Sequence, residues 1–240
     1  MTTRFSQRAE TVEIMDDLQC SGEVVNQTLR ELEIINRWLG GNAVTISGIK
    51  RLALEKTEGS NKITIADIGC GGGDILKEIA WWGKKQKLNL MLTGIDANPN
   101  IIEFSKNNTK AFKEISYQTH NVFSEDFQKT KYDIIVATLF THHFNNQELA
   151  QLISSIVKQS RIGIVINDLH RHWFAYHSIR LLTKWFSKSP MVQFDAPVSV
   201  LRSFHRSDII SILKEAGIKN YSLQWKWAFR WQLVIRSSLA

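Results

Sequence analysis

The chain has 240 residues, of which 43% are hydrophobic and 22% charged, and this fits one globular domain with at most a small appendage. Its two cysteines, Cys20 and Cys70, form no disulfide framework, and the sequence shows no apolar signal region and no run of about 18 apolar residues, so we expect a cytoplasmic protein without a signal peptide or membrane span. The net charge of +7 comes from scattered lysines and arginines, which favours a solvated surface over a nucleic-acid or lipid-binding patch.

The first 60 residues have helical patterns. Apolar residues at helical spacing predict one amphipathic helix that stops at Gly40 and Gly41, and its members are Val25, Leu29, Leu32, Ile35 and Leu39. A second helical pattern covers 43–56, and 58–61 has the composition of a loop. We therefore expect residues 1–60 to form an N-terminal helical cap.

From residue 61 onwards, apolar runs alternate with helical patterns. The runs are 62–68, 88–95, 115–119, 133–139 and 161–167. Repeated strand and helix predict a parallel sheet with helices on both faces. A helix starting at Ser207 or Asp208 and capped by Gly217 should follow, and then an antiparallel hairpin from the runs 218–227 and 229–236. The fold class is thus α/β, an open seven-stranded sheet that is mostly parallel.

The stretch IADIGCGGGDI at 65–75 places a glycine-rich turn between the first strand and the next helix. Such a turn lies at the carboxyl edge of the sheet, where open α/β sheets bind ligands. The second strand ends at Asp96, where a carboxylate can accept hydrogen bonds from both hydroxyls of a ribose. Strand, turn, helix and acid together predict a nucleoside-cofactor site.

Two further acids bear on the kind of cofactor. A dinucleotide fingerprint has glycine or alanine where this chain has Asp74, because a pyrophosphate sits on the helix N-terminus. A carboxylate there repels a pyrophosphate but tolerates a ligand with an ammonium and a sulfonium group. Asp67 is a second acid that can hold an ammonium. The turn therefore favours a cationic cofactor.

With these residues the sequence resembles the class I S-adenosylmethionine-dependent methyltransferases over about 55–237. Their D-x-G-x-G-x-G loop is matched by Asp67, Gly69, Gly71 and Gly73, and their ribose-binding acid by Asp96. The resemblance implies a Rossmann-like fold, S-adenosylmethionine as cofactor, and residues 61–240 as the methyltransferase domain, with a substrate-capping insertion at about 171–202. It further implies that the cofactor also contacts Cys70, Ala97, Asn121, Val122, Phe123, Thr138, Leu139 and Phe140.

The sequence TLFTHHF after the fourth strand bears on the acceptor. Relatives that methylate base amino groups carry an Asn/Asp-Pro-Pro-aromatic motif there, and this chain has no proline in that stretch. The small-molecule branch, which includes quinone-biosynthesis and natural-product tailoring enzymes, often has a histidine at this point, and EIMDDL and LEIINRWLGG are similar to that branch. The resemblance therefore implies a small-molecule acceptor.

Candidates for a general base occur after the fourth and fifth strands. They are His142 and His143 in the first group, and Asp168, His170 and His172 in the second. A histidine can accept the proton of a phenol near neutral pH. We favour His143, while the alternative for each histidine is an ordinary hydrogen-bonded loop residue. A metal site is not predicted, since no spacing such as H-E-x-x-H occurs.

Residues 171–189 combine dense aromatics with Arg180, Lys184 and Lys188. This pattern fits a lid on a lipophilic acceptor pocket, a core helix or an interfacial helix, and we expect a mixed role, with peripheral membrane contact as the less favoured alternative. Three tryptophans on the hairpin, Trp225, Trp227 and Trp231, suggest one core face and one face toward solvent or a partner, so the chain is a monomer or a homodimer.

The predicted function is methyl transfer from S-adenosylmethionine to a small, apolar, aromatic hydroxyl such as a phenol, a quinol or a polyketide-like compound. Two alternatives stay open. One is a catalytically silent cofactor-binding or interaction protein with the same fold, because a fold does not determine a function. The other is an RNA methyltransferase, although the charge pattern and the fourth-strand sequence predict no nucleic-acid partner.

Overall fold

The computed structural model describes residues 3–53 and 62–237, with a seven-stranded sheet at the centre. The strands are β1 (Lys62–Ile68), β2 (Asn89–Asp96), β3 (Ile115–Thr119), β4 (Tyr132–Thr138), β5 (Ser160–Leu169), β6 (Tyr221–Lys226) and β7 (Arg230–Arg236). They lie in the order β3-β2-β1-β4-β5-β7-β6. The pairs among β1 to β5 are parallel, whereas β7 is antiparallel to both β5 and β6. The predicted mixed sheet with a C-terminal hairpin is confirmed.

Helices connect and cover the strands. The α-helices are α1 (Glu23–Trp38), α2 (Gly41–Ala53), α3 (Asp74–Lys85), α4 (Pro99–Asn108), α5 (Glu125–Lys129), α6 (Asn146–Gln159), α7 (Trp173–Phe186), α8 (Pro190–Arg202) and α9 (Arg206–Glu215). Short 3₁₀ helices occur at Thr3–Phe5, Ile14–Asp16 and Thr141–His143. None of the helices in the described ranges has the length and apolar character needed to cross a bilayer.

The sheet is buried on both faces, as a parallel sheet requires. Along β4, Ile134 and Val136 pack with apolar residues of α2 and α3, whereas Ile135 and Ala137 point to the opposite face and pack with α6 and α9. Successive side chains of a strand alternate between faces, so the continuous apolar run in β4 serves two cores. This packing on both faces places the carboxyl ends of the parallel strands side by side at one edge of the sheet.

Helix α9 begins earlier than the sequence predicts. We expected the start at Ser207 or Asp208, but the helix begins at Arg206 with His205 as its N-cap. Asp208 lies at the third helical position, where its carboxylate accepts a hydrogen bond from the backbone N–H of His205 at 2.7 Å. An acid inside the first turn can thus cap a helix from within. Gly217 has φ +74° and follows the C-cap, Ala216, so the observed cap lies one position before the predicted one.

The N-terminal segment is split between two places. Helix α2 packs directly on β5 and β7, with Ile49 and Leu52 in one of the two main cores. By contrast, α1 packs against α8 and α4, away from the faces of the sheet. The predicted continuation of α2 to residue 56 and the predicted loop at 58–61 lie outside the described residues. Helices α7 and α8 fill the 171–202 region and pack against each other.

Candidate active site

A cavity of about 1060 Å³ lies at the carboxyl edge of the parallel strands. The residues after β1, β2, β3 and β4 form one side of it, and α1, the 3₁₀ helix at Ile14–Asp16, α7 and α8 form the other. Of the predicted site residues, Gly73, Asp168 and His172 are not in its lining and the rest are. The structure therefore brings together residues that lie far apart in the sequence.

The turn after β1 needs glycine for two reasons, its backbone conformation and its close packing. Gly69, Gly71 and Gly73 have φ values of +65°, +48° and +77°, a region that disfavours residues with a Cβ. A Cβ on Gly69 would lie 2.1 Å from the ring of Phe140, and one on Gly73 would lie 2.2 Å from the hydroxyl of Tyr117. At Gly71 the nearest atom would be 3.9 Å away. Gly69 and Gly73 thus permit close packing, whereas Gly71 presents bare backbone to the cavity.

Three carboxylates meet around this turn, namely Asp67, Asp74 and Asp96. Asp67 is 1% exposed, and its Oδ1 has no hydrogen-bond partner among the described residues. Burial, together with the charges of Asp74 and Asp96, raises the pKa of Asp67 well above its usual range. A buried carboxylate oxygen without a partner is costly, and a cationic group would satisfy it. The turn therefore suits the ammonium of a bound ligand, as the sequence indicated.

Asp96 ends β2 beside the turn. Its Oδ2 accepts a hydrogen bond from the backbone N–H of Gly71 at 3.3 Å, and its Oδ1 accepts one from Asn98 at 3.0 Å. Burial raises the pKa of this carboxyl, while these N–H groups oppose the shift. Ala97, Asn121, Val122 and Phe123 line the adjoining part of the cavity. This arrangement fits a ribose at Asp96 with an adenine beyond it.

His142 lies between two buried carboxylates. Its Nδ1 is 2.7 Å from Oδ1 of Asp168, and its Nε2 is 3.5 Å from Oε1 of Glu13. Asp168 also accepts a hydrogen bond from the Thr141 hydroxyl at 2.6 Å and lies behind the histidine, outside the cavity lining. Burial raises the pKa of Glu13 to about 7. Both ring nitrogens of His142 therefore face acids, and Asp168 is placed to orient this ring.

His143 has a different environment. Its Nδ1 is 2.5 Å from Oδ1 of Asp16. Arg202 donates to Oδ2 of Asp16 at 2.5 Å and to the carbonyl oxygen of His143 at 2.6 Å. Burial opposes ionisation of Asp16, but the hydrogen bonds and charges of His143 and Arg202 lower its pKa overall. With Nδ1 held by Asp16, Nε2 is the nitrogen that can accept a proton from a ligand.

The 3₁₀ helix that supplies Asp16 is fixed to α8. The carboxylate of Asp195 accepts hydrogen bonds from the backbone N–H groups of Ile14 at 2.8 Å and Met15 at 3.1 Å. Ser199 of the same helix donates to Oε2 of Glu13 at 2.9 Å. These contacts position Glu13 and Asp16 over the two histidines.

The other predicted bases are less suited to proton transfer. His170 lines the cavity, but its Nδ1 accepts a hydrogen bond from the indole of Trp225 at 3.3 Å. Burial and neighbouring positive groups, His172 first, lower the pKa of His170 to about 4. His172 is not in the cavity lining and caps α7 by accepting from the N–H of Phe174 at 3.2 Å.

Glu13, His142 and His143 also form a group whose ligand atoms lie within 4.8 Å of one another. Local spacing does not predict this group, because its acid lies about 130 positions before its histidines. Two histidines and a carboxylate have the chemistry of a metal site. Their other contacts, to Asp168, Asp16 and Ser199, also account for the arrangement without an ion.

The acceptor side of the cavity is apolar. Phe174, Ile179 and Leu182 of α7 line it together with Trp225 and Trp227 of the hairpin. Elsewhere on α7, Trp185 and Phe186 are exposed by 73% and 76%. On the hairpin, Trp231 is buried whereas Trp227 is exposed. The dense aromatics of 171–189 thus divide between cavity wall and surface.

Sequence reasoning did not identify Glu13, Asp16, Arg202 and Arg230 as site residues. All four lie in or beside the cavity wall. The EIMDDL stretch, which contains Glu13 and Asp16, contributed only to the family resemblance. Arg230 belongs to a run that predicts a strand. No local pattern connects these residues with the histidines, so spacing could not have found them.

Residues 65–163 match a protein-family model described as a methyltransferase domain, and this match runs from β1 into β5. None of the curated proteins compared with the sequence matches it. The similarity to solved structures is extensive.

Human N-acetylserotonin methyltransferase in complex with SAM is 14% identical, with a TM-score of 0.61, over 89% of this chain and 55% of that one. An O-methyltransferase family protein from Burkholderia thailandensis is also 14% identical, with a TM-score of 0.60, over 88% of this chain and 60% of that one. The plantazolicin methyltransferase BpumL, solved with a substrate analogue and SAH, is 19% identical, with a TM-score of 0.61, over 88% of each chain.

The first similar structures are longer proteins, and this chain spans about half of their length, between 49% and 56%. At these identities the similarity to solved structures shows the fold alone. The family model matches the region from β1 into β5 as a methyltransferase domain. Together with the glycine turn and Asp96, they confirm the resemblance seen in the sequence. The chain thus matches a methyltransferase domain over residues 65–163 and has the fold of the methyltransferases of known structure.

Proposed function

We propose that this chain transfers a methyl group from S-adenosylmethionine to the hydroxyl of a small, apolar, aromatic acceptor. The observation that carries the proposal is that one cavity joins the acidic glycine turn to a histidine held by a carboxylate, His143 with Asp16. A cofactor cradle alone would support binding. The adjacent His143–Asp16 pair supports chemistry on an acceptor with a removable proton.

The cofactor end is supported by residues of the turn and of β2. Asp67 and Asp74 would face the amino-acid end of the cofactor, and Asp96 would accept hydrogen bonds from its ribose hydroxyls. Asn121, Val122 and Phe123 would flank the adenine. When bound, S-adenosylmethionine supplies an electrophilic methyl group on a sulfonium. Two of the similar proteins were solved with SAM or SAH, which supports this cofactor for the shared fold.

The acceptor end provides a base. His143 would take the hydroxyl proton on Nε2 as the acceptor oxygen forms its bond to the methyl carbon and the carbon–sulfur bond breaks. Asp16 would stabilise the resulting imidazolium through Nδ1, which is the role of a carboxylate partner in a histidine dyad. The products are a methyl ether and a neutral thioether, with the proton on the histidine. Holding the reacting atoms about 3 to 3.5 Å apart would supply most of the rate.

The shape and lining of the cavity support a small apolar acceptor. Phe140 and Phe144 pack edge to face with ring centroids 5.0 Å apart, beside His143. Phe174 and Leu182 contribute further apolar wall. An aromatic ring can stack against such a wall, and its hydroxyl can reach a histidine at the edge.

The test is an activity assay with labelled S-adenosylmethionine and a panel of phenols, quinols and polyketide-like phenolics. We expect methyl ethers from some members and none from the variant His143→Gln, which should still bind S-adenosylhomocysteine. A wild-type protein that binds S-adenosylhomocysteine but methylates no member of a broad panel would favour the silent cofactor-binding alternative. RNA should not be methylated, and any association with RNA should lack the linear dependence of log affinity on log salt that phosphate contacts produce.

A further inference from the structure

Arg230 is a buried cation at the edge of the proposed site. It is the first residue of β7, pairs with Leu169 at the carboxyl end of β5, and lines the cavity. Its side chain is 1% exposed. Because β7 runs antiparallel to its neighbours, its first residue lies at the same edge of the sheet as the ends of β1, β4 and β5.

The guanidinium of Arg230 is only partly satisfied by the protein. Its Nη2 donates to Oδ1 of Asn36 at 2.9 Å. Its Nε and Nη1 are buried and have no hydrogen-bond partner among residues 3–53 and 62–237. Within those ranges no carboxylate oxygen lies within 4 Å of it.

The nearest acids are already engaged by other groups. Asp168 binds His142 and Thr141, and Asp74 accepts a hydrogen bond from Asn36 at 3.2 Å. Burial lowers the pKa of Arg230 to about 10, opposed by the charges of Asp168 and Asp74, so the group stays protonated at neutral pH. A buried charge without a direct counter-ion is expensive in a folded protein.

The chain also makes room for this guanidinium. A Cβ on Gly41 would lie 2.7 Å from Cζ of Arg230 and 1.9 Å from Oδ1 of Asn36. The missing side chain at the start of α2 leaves the space that the planar group occupies against the helix. The Nε and a terminal nitrogen of a guanidinium form a fork that matches the two oxygens of a carboxylate.

We propose that Arg230 binds a carboxylate of a ligand in this cavity, which accepts a hydrogen bond from one of the unpaired donors, Nε or Nη1. This proposal rests on the proposed function, because both candidate sources of the carboxylate are ligands of the methyltransferase site. One source is the amino-acid carboxylate of the adenosyl cofactor. The other is a carboxylate carried by the acceptor. Either would pair with the buried charge and accept a hydrogen bond from an unused donor of the guanidinium.

Binding by calorimetry to wild type and Arg230→Met distinguishes the two sources. The first pair of probes is S-adenosylhomocysteine and its decarboxylated analogue, which differ by the carboxylate alone. The second pair is 4-hydroxybenzoate and its methyl ester. Loss of a charge-assisted hydrogen-bonded pair should weaken binding of the carboxylate-bearing member by roughly 10- to 100-fold and leave the other member unchanged. Arg230→Lys keeps the charge but not the planar guanidinium. Its affinities for the carboxylate-bearing probes should lie between those of wild type and Arg230→Met.

A selective loss in the first pair assigns the cofactor carboxylate, and a selective loss in the second assigns the acceptor carboxylate. Equal loss for both members of each pair, or no loss in either pair, overturns the proposal and leaves Arg230 a structural residue. If wild type binds neither adenosyl compound, the proposed function fails, while the second pair still tests Arg230.

The matched control is Lys226→Met. Lys226 pairs with Arg230 across β6 and β7, but it is partly exposed and is not in the cavity lining. The control removes one positive charge from the same end of the sheet. It should leave all four affinities unchanged, and thermal unfolding should show that each variant is folded.

Discussion

Oδ1 of Asp16 lies 2.5 Å from Nδ1 of His143, although 127 positions separate the two residues in the chain. The contact joins the N-terminal segment to the loop after β4 and closes the cavity between them. It gives His143 one carboxylate partner, which Arg202 also contacts, whereas His142 faces two carboxylates, those of Asp168 and Glu13.

The first prediction concerns this dyad. His143→Gln should lower kcat by roughly 10²- to 10⁴-fold, because a positioned base contributes that much to rate. Asp16→Asn should lower kcat by about tenfold or more, since it removes the charge that stabilises the imidazolium. Calorimetry with S-adenosylhomocysteine should show unchanged affinity in both variants.

His177 provides the control for the dyad. It is exposed on α7 and is not in the cavity lining, so His177→Gln should keep wild-type kcat. Full activity of His143→Gln on a phenolic acceptor would show that another group, or no base, removes the proton.

The second prediction concerns Asp96. S-adenosylhomocysteine at 100 times its dissociation constant should stabilise wild type by about 2.7 kcal/mol, and NAD should not. Asp96→Asn should weaken binding by roughly tenfold or more, because the neutral amide replaces an ionised acceptor for the ribose hydroxyls. Differential scanning fluorimetry measures both effects.

Asp126 is exposed and paired with Lys129, so Asp126→Asn should behave as wild type. A wild-type response from Asp96→Asn, or stabilisation by NAD, would contradict the assignment of the ribose subsite.

The third prediction separates crowding from backbone strain in the glycine turn. Gly69→Ala introduces a Cβ 2.1 Å from the ring of Phe140 at a φ of +65°. It should lower the free energy of unfolding by about 2 kcal/mol or more and weaken cofactor binding, because the turn must shift. Gly217 has φ +74° with no atom within 4 Å of its added Cβ. Gly217→Ala should therefore cost only the backbone strain, about 1 kcal/mol, and equal losses in urea unfolding would refute the role of crowding.

The fourth prediction concerns Glu13 and pH. Burial raises its pKa from 4.5 to about 7 in the folded state, so the folded protein binds more protons than the unfolded chain between these values. The stabilisation of the fold by protonated Glu13 is fully present below pH 4.5 and is lost as the pH rises through 7. Wild type should therefore lose up to about 3 kcal/mol relative to Glu13→Gln over this interval. Denaturant unfolding of both proteins at several pH values gives the difference, and a constant difference would show that Glu13 ionises normally.

The sequence alone determined the parts of this protein that depend on neighbours along the chain. Period-two and helical patterns identified the strands and most helices. The run from Asp67 to Asp96 predicts the proposed cofactor site, because strand, turn, helix and strand form one contiguous unit. The error at α9 arose within a single turn, where Asp208 caps the helix from its third position.

The tertiary structure decided which side chains complete the site. Asp16 and Glu13 reach the histidines because Asp195 of α8 binds the backbone of their 3₁₀ helix. Arg230 reaches the cavity because an antiparallel last strand begins at the edge where the parallel strands end. Such contacts depend on how elements that are distant in the sequence pack together. Burial and charge pairing act through space, so the spacing of residues in the sequence does not predict these contacts.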